Sequence, residues 1–365
     1  MGNSVFQTLL KELINHGGSD LHLSRGCKPS VRLHGDLVEL NAYPEQSHED
    51  LESIVSYVLS DKQLEQFYKQ RSYDLGFSSE QEERFRINIY FENGSLAFAI
   101  RWLNGRIFSF EEMNLPEQLN KLPKLNDGLV LMTGATGSGK STTLAAVVNT
   151  INETRPCHIL TIEDPIEFLH KNKKAIVHQR ELGNDVPSFA DAMRGALRED
   201  PDVVLVGEMR DLETMRAALM VAETGHLVFS TLHTNDAVGV IDRMISAFPA
   251  GEQANVRAQL AMVLRVVITQ QLVKSINNDS RVPINEILWI NHAVAHLIRE
   301  HKSEQIRSIM ETSKDIGNMT LEHAIANRIA NNEISEDLGL ALTSRQDQVK
   351  ELVNIIKNKA HVGAG

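Results

Sequence analysis

The spacing of hydrophobic side chains changes along the chain and separates an early mixed stretch from a later regular one. The stretch "VFQTLLKELINHGG" has the three-to-four-residue spacing of an amphipathic helix that ends at its glycines. "RFRINIYFENGSLAFAIRWL" predicts a β-hairpin that turns at Asn93–Gly94, and "VRLHGDLVEL" predicts one that turns at Gly35–Asp36. We therefore predict a small α+β domain over residues 1–103.

A regular alternation of strands and helices follows a proline-containing connector, which we place at residues 104–125. Short apolar runs such as "GLVLMTG", "CHILTIED", "DVVLVGE" and "HLVFSTLH" alternate with helical patterns. This order is typical of a parallel sheet with crossover helices. After "VRAQLAMVLRVVITQQLV" the pattern predicts mostly helix to the end of the chain. The predicted fold class is thus α/β, with the second domain over residues 126–365.

Composition and charge narrow the class of protein. A chain of 365 residues with 42% hydrophobic and 23% charged residues fits two or three ordinary globular domains. The net charge of −11 argues against a broad surface for nucleic acid. Cys27 and Cys157 are far apart, which favours a reducing compartment. Because no signal-peptide pattern and no apolar run of about 18 residues occur, we expect a cytoplasmic protein, with peripheral membrane attachment left open.

The strongest chemical signal is "GATGSGKST", which matches the whole G-x-x-x-x-G-K-[ST] phosphate-loop pattern between a predicted strand and a predicted helix. Its glycines let backbone N–H groups approach phosphate oxygens, and the helix adds its positive N-terminal end. Lys140 would bridge the β- and γ-phosphates, and Ser141 would ligate Mg²⁺. The predicted ATP-binding residues of this loop are Gly134, Ala135, Thr136, Gly137, Ser138, Gly139, Lys140, Ser141 and Thr142.

Acidic side chains follow two further predicted strands. The strand that holds Mg²⁺ in a P-loop ATPase usually ends in aspartate, but "DVVLVGE" ends in Gly207–Glu208. Glu208 is either a water-orienting carboxylate or an acid that stabilises the next helix start. Glu163, Asp164 and Glu167 follow "CHILTI", and either serve the magnesium shell or the attacking water, or form a solvated acidic loop.

Histidines and arginines supply candidate contacts to the transferred phosphate. His226 and His233 flank the strand "LVFSTL" and could contact the γ-phosphate or be structural hydrogen-bonding groups. Arg84, Arg86 and Arg101 lie on the predicted hairpin of the first domain. They are either arginine fingers for another subunit's nucleotide or part of a solvated strand face.

Taken together, the motifs resemble those of a known family. "GATGSGKSTT", "HILTIEDPIEF", "LREDPDVVLVGEMRDLETMRAAL" and "AETGHLVFSTLHT" are similar to the P-loop, Asp box, atypical Walker B and His box of secretion ATPases. Within that superfamily they resemble the type IV pilus retraction ATPases (PilT/PilU-like), and the likeness runs from about Gly17 to Leu342. The resemblance implies an N-terminal PAS-like domain and a RecA-like P-loop ATPase domain with a helical C-terminal part.

The resemblance also implies roles for individual residues, with ATP and Mg²⁺ as cofactors. The implied catalytic residues are Glu208, Glu163, His233, Arg86 and Arg101. Ser141 and Glu163 are the implied metal ligands, and His226 joins the phosphate loop in binding ATP. In this division of roles, Glu163 supplies the magnesium-binding carboxylate that is missing because Gly207 replaces the usual aspartate. Glu208 then orients the attacking water. Arg84 and Glu167 match neighbouring positions of the same motifs.

The implied activity is that of an ATP-hydrolysing homohexamer that retracts pili from the cytoplasmic side of the inner membrane. Its expected partners are an inner-membrane platform protein and a paralogous retraction ATPase, and no nucleic acid is expected. One stretch departs from the retraction pattern "AIRNLIRE", since Ala295 and His296 replace its arginine and asparagine in "AVAHLIRE". Three alternatives therefore stay open: an accessory retraction ATPase, an ATPase of a type IVb pilus or secretion system with different cargo, and a nucleotide-gated ring that hydrolyses little ATP.

Overall fold

The computed structural model describes residues 2–234, 236–277 and 280–362. Packing divides the chain into two units. The first comprises the chain up to Arg106 together with Asp164–Leu169, and the second comprises Ile107–Glu163 and the chain from His170 onward. The short Asp164–Leu169 segment lies within the predicted range 126–365 but packs with the first unit. The domain limits 1–103, 104–125 and 126–365 stay predictions.

The first unit is an antiparallel sheet with helices. Its strand order is β3-β2-β1-β6-β5-β4. The strands are β1 (Asp20–Ser24), β2 (Ser30–Leu33), β3 (Asp36–Glu39), β4 (Ser72–Ser78), β5 (Arg84–Glu92) and β6 (Ser95–Leu103). The helices are α1 (Gly2–Asn15), α2 (His48–Val58) and α3 (Asp61–Gln70).

Local sequence explains most of these elements. The Asn93–Gly94 turn has φ values of 47° and 78°, the left-handed pair that a tight hairpin requires, so the predicted hairpin is confirmed. Ser47 and Asp50 form a capping box that starts α2. The other predicted turn is displaced by one residue, because Leu33 pairs with Asp36 and the turn therefore consists of His34 and Gly35.

The second unit is built on a sheet with strand order β13-β12-β7-β11-β10-β8-β9. Neighbouring strands run parallel except at the β12–β13 pair, which is antiparallel. The strands are β7 (Gly128–Thr133), β8 (His158–Glu163), β9 (Ile176–Glu181), β10 (Val203–Val206), β11 (Leu227–Leu232), β12 (Leu264–Lys274) and β13 (Arg281–Trp289).

Helices cover both faces of this sheet. One core contains side chains of α5 to α10, and the other contains side chains of α4, α11 and α13. Because both faces are buried, β7, β10 and β11 carry unbroken apolar or small side chains. The helices are α4 (Lys140–Thr154), α5 (Phe189–Ala196), α6 (Leu212–Glu223), α7 (Ala237–Ser246), α8 (Gln253–Val263), α9 (His292–Arg299), α10 (Ile306–Thr312), α11 (Leu321–Ala330), α12 (Glu336–Ala341) and α13 (Gln346–Val362).

Strand β13 lies in the stretch for which the sequence pattern predicts mostly helix, so that prediction is wrong for Arg281–Trp289. The run "LRVVITQQLV" is strand β12, which pairs with the phosphate-loop strand β7, and β13 follows it. Its β-branched residues are favoured in a strand, and the neighbouring β7 supplies the hydrogen bonds. Within the described residues, none of the helices has the length and apolar character that crossing a membrane requires.

Candidate active site

The phosphate loop connects β7 to α4, and its backbone conformation depends on glycine. Gly134 has a φ of 138°, and a Cβ there would lie 2.2 Å from the carbonyl oxygen of Gln270. Gly139 has a φ of 83°, and a Cβ there would lie 2.9 Å from Nε2 of the same glutamine. Larger residues at either position would therefore both strain the backbone and push the loop off the sheet.

The start of α4 is suited to an anion. Its N-cap is Gly139, which offers no side-chain cap, so the first backbone N–H groups remain for another acceptor. Lys140 is buried, and its Nζ donates hydrogen bonds to the carbonyl oxygens of Gly134 at 2.8 Å and Ala135 at 3.0 Å. The positive charge is therefore held inside the curve of the loop. Ser141 lies exposed in the first helical turn.

A cavity of about 380 Å³ opens beside this loop. Ser138 Oγ is buried at the edge of this cavity and has no hydrogen-bond partner among the described residues. A cradle of backbone N–H groups, a buried lysine and an orphaned hydroxyl fit the phosphates of a nucleotide. The cavity is lined by Gly134, Ala135, Thr136, Gly137, Ser138, Thr269, Gln270, Gln271, Leu272, Val273 and Leu342.

Glu208 follows β10 at the same edge of the sheet. Gly207 continues the strand, since its N–H donates to the Ile162 carbonyl at 2.8 Å and its carbonyl accepts from Thr231 Oγ1 at 2.6 Å. Strand β11 lies between β10 and the phosphate-loop strand β7. The carboxyl ends of parallel strands meet at one edge, so Glu208 and the phosphate loop share that edge.

Two side chains, those of His233 and Arg210, hold the Glu208 carboxylate. His233 Nε2 lies 3.0 Å from Oε1, and an Arg210 guanidinium nitrogen lies 2.9 Å from Oε2. The Glu208 side chain is only 19% exposed, whereas His233 is 41% exposed. A carboxylate fixed in this way can accept a hydrogen bond from water and orient it. The structure thus brings together Glu208 and His233, which were predicted from separate motifs.

Glu163 ends β8, which is adjacent to β10 and farther from the phosphate loop. Its Oε1 accepts hydrogen bonds from Thr161 Oγ1 at 2.6 Å and Gln179 Nε2 at 3.2 Å. The structure therefore places Glu163 at the predicted edge, beside Glu208. Its predicted role as a metal ligand stays a prediction. Asp164 and Glu167 lie in the segment that packs with the first unit.

His226 is not at this edge. It precedes β11, and its carbonyl accepts from the N–H of Gly128, the first residue of β7. His226 and His233 therefore stand at opposite ends of a strand, roughly 20 Å apart at the usual rise per residue. This position is remote from a nucleotide held by the phosphate loop of the same chain, and the ATP-binding role of His226 stays a prediction. The ring of His226 has a hydrogen-bond partner close by in the sequence, since Nδ1 lies 3.0 Å from the Val221 carbonyl oxygen.

The predicted arginines lie in the first unit. Arg86 and Arg101 are directly opposite each other on β5 and β6. Arg86 pairs with Asp74, and this hydrogen bond is the main reason that the pKa of Arg86 is raised. Arg101 Nε donates to Asp20 Oδ1 at 2.8 Å. The arginine-finger roles of Arg86 and Arg101 stay predictions.

Arg84 serves a different contact. Its Nε and one terminal nitrogen donate to the carbonyl oxygen of Ile166 at 3.2 and 3.1 Å. Ile166 belongs to the Asp164–Leu169 segment, so Arg84 secures that segment to the sheet of the first unit. This contact accounts for Arg84 without a nucleotide.

Sequence reasoning missed three side chains beside the predicted site. Arg210 pairs with Glu208, and Gln270 and Thr143 bond to each other beside the phosphate loop. Polar "TQQ" inside the apolar run "LRVVITQQLV" was the available signal for Gln270, since a buried strand rarely contains polar residues without partners.

The chain is similar to proteins of one family over almost its whole length. Residues 4–362 match the family model described as "Type II/IV secretion system protein". The chain is 46% identical over 299 residues to a twitching motility protein of Neisseria gonorrhoeae, covering 82% of this chain and 80% of that protein. It is 44% identical over 329 residues to the type IV pilus retraction ATPase PilT of Pseudomonas aeruginosa, covering 90% and 95%.

A solved structure shows the same fold. A crystal structure described as the pilus retraction motor PilT with bound ADP matches with a TM-score of 0.87 and 40% identity, covering 94% of this chain and 98% of that one. The predicted α/β class, with an N-terminal domain and a C-terminal ATPase domain, is confirmed. The PAS-like likeness of the N-terminal domain stays a prediction. The chain is an ATPase that belongs to the type II/IV secretion system protein family, and its resemblance to the pilus retraction ATPases is confirmed.

Proposed function

We propose that this protein is an ATP-hydrolysing hexameric motor that drives type IV pilus retraction, and therefore twitching motility. The observation that carries the hydrolytic part is the Glu208–His233 pair, 3.0 Å apart at the sheet edge that also holds the phosphate loop. The cargo is supported by the relatives, since proteins 44% and 46% identical to this chain carry names of pilus retraction and twitching motility.

In the proposed reaction, the loop and Lys140 bind the phosphates of ATP. Glu208 accepts a hydrogen bond from a water and orients its oxygen toward the γ-phosphorus. The new P–O bond forms as the bond to the β–γ bridging oxygen breaks, which yields ADP and phosphate. His233 fixes the carboxylate during this step, because its Nε2 already contacts Oε1.

Ser141 and Glu163 are the residues that would hold Mg²⁺. Their oxygens are suitable ligands for a hard cation, and Ser141 stands in the first turn of α4 beside the phosphate cradle. When bound, Mg²⁺ would neutralise charge on the phosphates. Because β11 and β10 separate β8 from β7, we propose that Glu163 acts through water rather than by direct contact.

The proposed assembly is a homohexamer on the cytoplasmic face of the inner membrane. Its proposed partners are a membrane platform protein and a second, paralogous retraction ATPase. Arg86 and Arg101 are proposed to reach a phosphate in such a ring, where an arginine from another domain neutralises the transferring group.

A cell-based experiment tests the proposed cargo. Replacing Lys140 by Ala in the chromosome is expected to leave surface pili present, and increased in number, while twitching stops. Pili are counted by electron microscopy, and twitching is measured as colony spreading. Normal twitching in the Lys140→Ala strain would contradict the proposal.

A second candidate function keeps the ATPase and changes the cargo. Helix α9 has a buried Ala295 and an exposed His296 where the retraction pattern has arginine and asparagine. The arginine and asparagine of the retraction pattern are thus absent from this helix, which favours an accessory retraction ATPase or a type IVb or secretion system. Deletion of the gene separates these functions, because excess pili indicate lost retraction and absent pili indicate lost assembly.

A further inference from the structure

The buried side-chain amide of Gln270 on β12 forms hydrogen bonds both to the phosphate loop and to the helix that follows it. Gln270 is 2% exposed. Its Nε2 donates to the carbonyl oxygen of Ser138 at 2.7 Å, and its Oε1 accepts from Thr143 Oγ1 at 3.0 Å. Ser138 precedes the last glycine of the loop, whereas Thr143 lies in the first turn of α4. One side chain therefore links the end of the loop to the start of the helix.

The residues between these two attachment points are those that would meet the phosphates. Gly139, Lys140 and Ser141 lie inside the span that Gln270 closes. A Cβ on Gly139 would lie 2.9 Å from Gln270 Nε2, so the amide rests against the loop backbone itself. The directions of the backbone N–H groups in this span depend on its conformation, and phosphate binding depends on those directions.

The neighbouring strand fixes the orientation of the amide. Asn285 on β13 is the register partner of Gln270, and its Nδ2 donates to Gln270 Oε1 at 2.9 Å. Because Asn285 is 1% exposed, the whole bridge is shielded from water. Both lone pairs of Oε1 are then occupied, and Nε2 must face Ser138. Hydrogen bonds in such a dry setting are stronger and more directional than on the surface.

We propose that Gln270 is a positioning residue for nucleotide binding. It holds the phosphate loop in its binding conformation through Ser138 and Thr143, and the affinity for nucleotide depends on this bridge. The proposal rests on the ATPase activity of the chain. It assigns a role to the Gln270–Asn285 pair that is separate from the chemistry of Glu208 and His233.

Substitution of Gln270 by Glu tests the proposal in the full-length protein. The change keeps the shape of the side chain but places an oxygen where Nε2 faces the Ser138 carbonyl. The dissociation constant for ADP with Mg²⁺, measured by calorimetry, is expected to rise about 10-fold or more. At saturating ATP, kcat is expected to change less than about threefold, so the effect appears in KM.

Gln346→Glu is the matched control. Gln346 lies exposed at the start of α13, and its Nε2 also donates to a backbone carbonyl, that of Leu340 at 3.2 Å. The same amide-to-carboxylate change there is expected to leave the ADP affinity within about twofold of the wild type. A loss of affinity in both variants would point to added negative charge and overturn the positioning role.

Thr143→Val is the second variant, and it carries the test if Gln270→Glu does not fold. It removes the hydroxyl donor and keeps the side-chain shape, and is expected to raise the ADP dissociation constant roughly threefold or more. A lowered melting temperature with unchanged ADP affinity in either variant would overturn the proposal, because it describes a purely structural hydrogen bond. If the wild type failed to bind ADP, the ATPase activity on which the proposal rests would be overturned instead.

Discussion

The two ends of strand β11 carry the same type of side chain in different surroundings. At the carboxyl end, His233 Nε2 lies 3.0 Å from the Glu208 carboxylate, beside the phosphate loop. At the amino end, His226 Nδ1 lies 3.0 Å from the Val221 carbonyl and 2.9 Å from Thr224 Oγ1. The role of a histidine in such a motif therefore depends on which end of the strand it occupies.

The Glu208 carboxylate at the carboxyl end of β11 is expected to matter most for turnover. Glu208→Gln is expected to lower kcat for ATP hydrolysis by roughly 100-fold or more, because an amide is a poorer acceptor for a proton or hydrogen bond from water. Phosphate release at saturating ATP measures the effect, and ADP affinity should change little.

The control for Glu208→Gln lies at the amino end of the strand. Glu223 is exposed at the end of α6, where it accepts a hydrogen bond from Gln259 Nε2 at 3.1 Å. Glu223→Gln should leave kcat unchanged. Equal kcat values for Glu208→Gln and the wild type would refute the proposed orientation of water.

His233→Ala is expected to lower kcat by about 10-fold to 100-fold, since it removes a hydrogen bond to a partly buried carboxylate. Gln places an N–H near the position of Nε2, so His233→Gln should recover part of the lost activity. If His233→Ala hydrolysed ATP at the wild-type rate, the His233–Glu208 pair would have no part in turnover.

The smallest effect on activity is expected at the amino end. His226→Ala should leave kcat within about twofold of the wild type, because the side chain lies far from the phosphate loop. The free energy of unfolding should fall by about 1 kcal/mol through loss of the local hydrogen bonds. Urea denaturation measures the second quantity. A large loss of kcat in His226→Ala, with normal stability, would show that the two ends of β11 are not functionally distinct.

The phosphate loop could be predicted in full because its information is local. The glycines, Lys140 and Ser141 stand within one continuous stretch, and each is needed for a backbone conformation or a charge at that point. The closeness of Glu208 and His233 could be predicted for a related reason. Both residues follow buried strands, and parallel strands bring their carboxyl ends together.

The rest of the site depends on contacts that are distant in sequence. Strand β12 pairs with β7, although Thr269 and Thr133 are 136 positions apart, and it pairs with β13 on its other side, so "VVIT" is a strand because of both neighbours. Gln270 gains Asn285 as a partner through the pairing with β13, and it gains Ser138 and Thr143 because β12 lies beside β7. His226 and His233 were predicted to flank one strand, and two histidines seven residues apart cannot share one edge, whereas the ATP-binding role of His226 came only from the family resemblance.

The Asp164–Leu169 segment has a practical consequence for dissecting the protein. A fragment that starts at Ile107 would keep this segment but lose Arg84, whose guanidinium donates two hydrogen bonds to the Ile166 carbonyl. Ile166 and Phe168, which are 8% and 9% exposed in the whole chain, would lose the unit with which they pack. Such a truncation would expose the apolar side chains of Ile166 and Phe168 a few residues after Glu163, and the fragment would be prone to aggregate. Separate expression of the ATPase core therefore calls for a redesigned connection between β8 and β9, and not for a single cut.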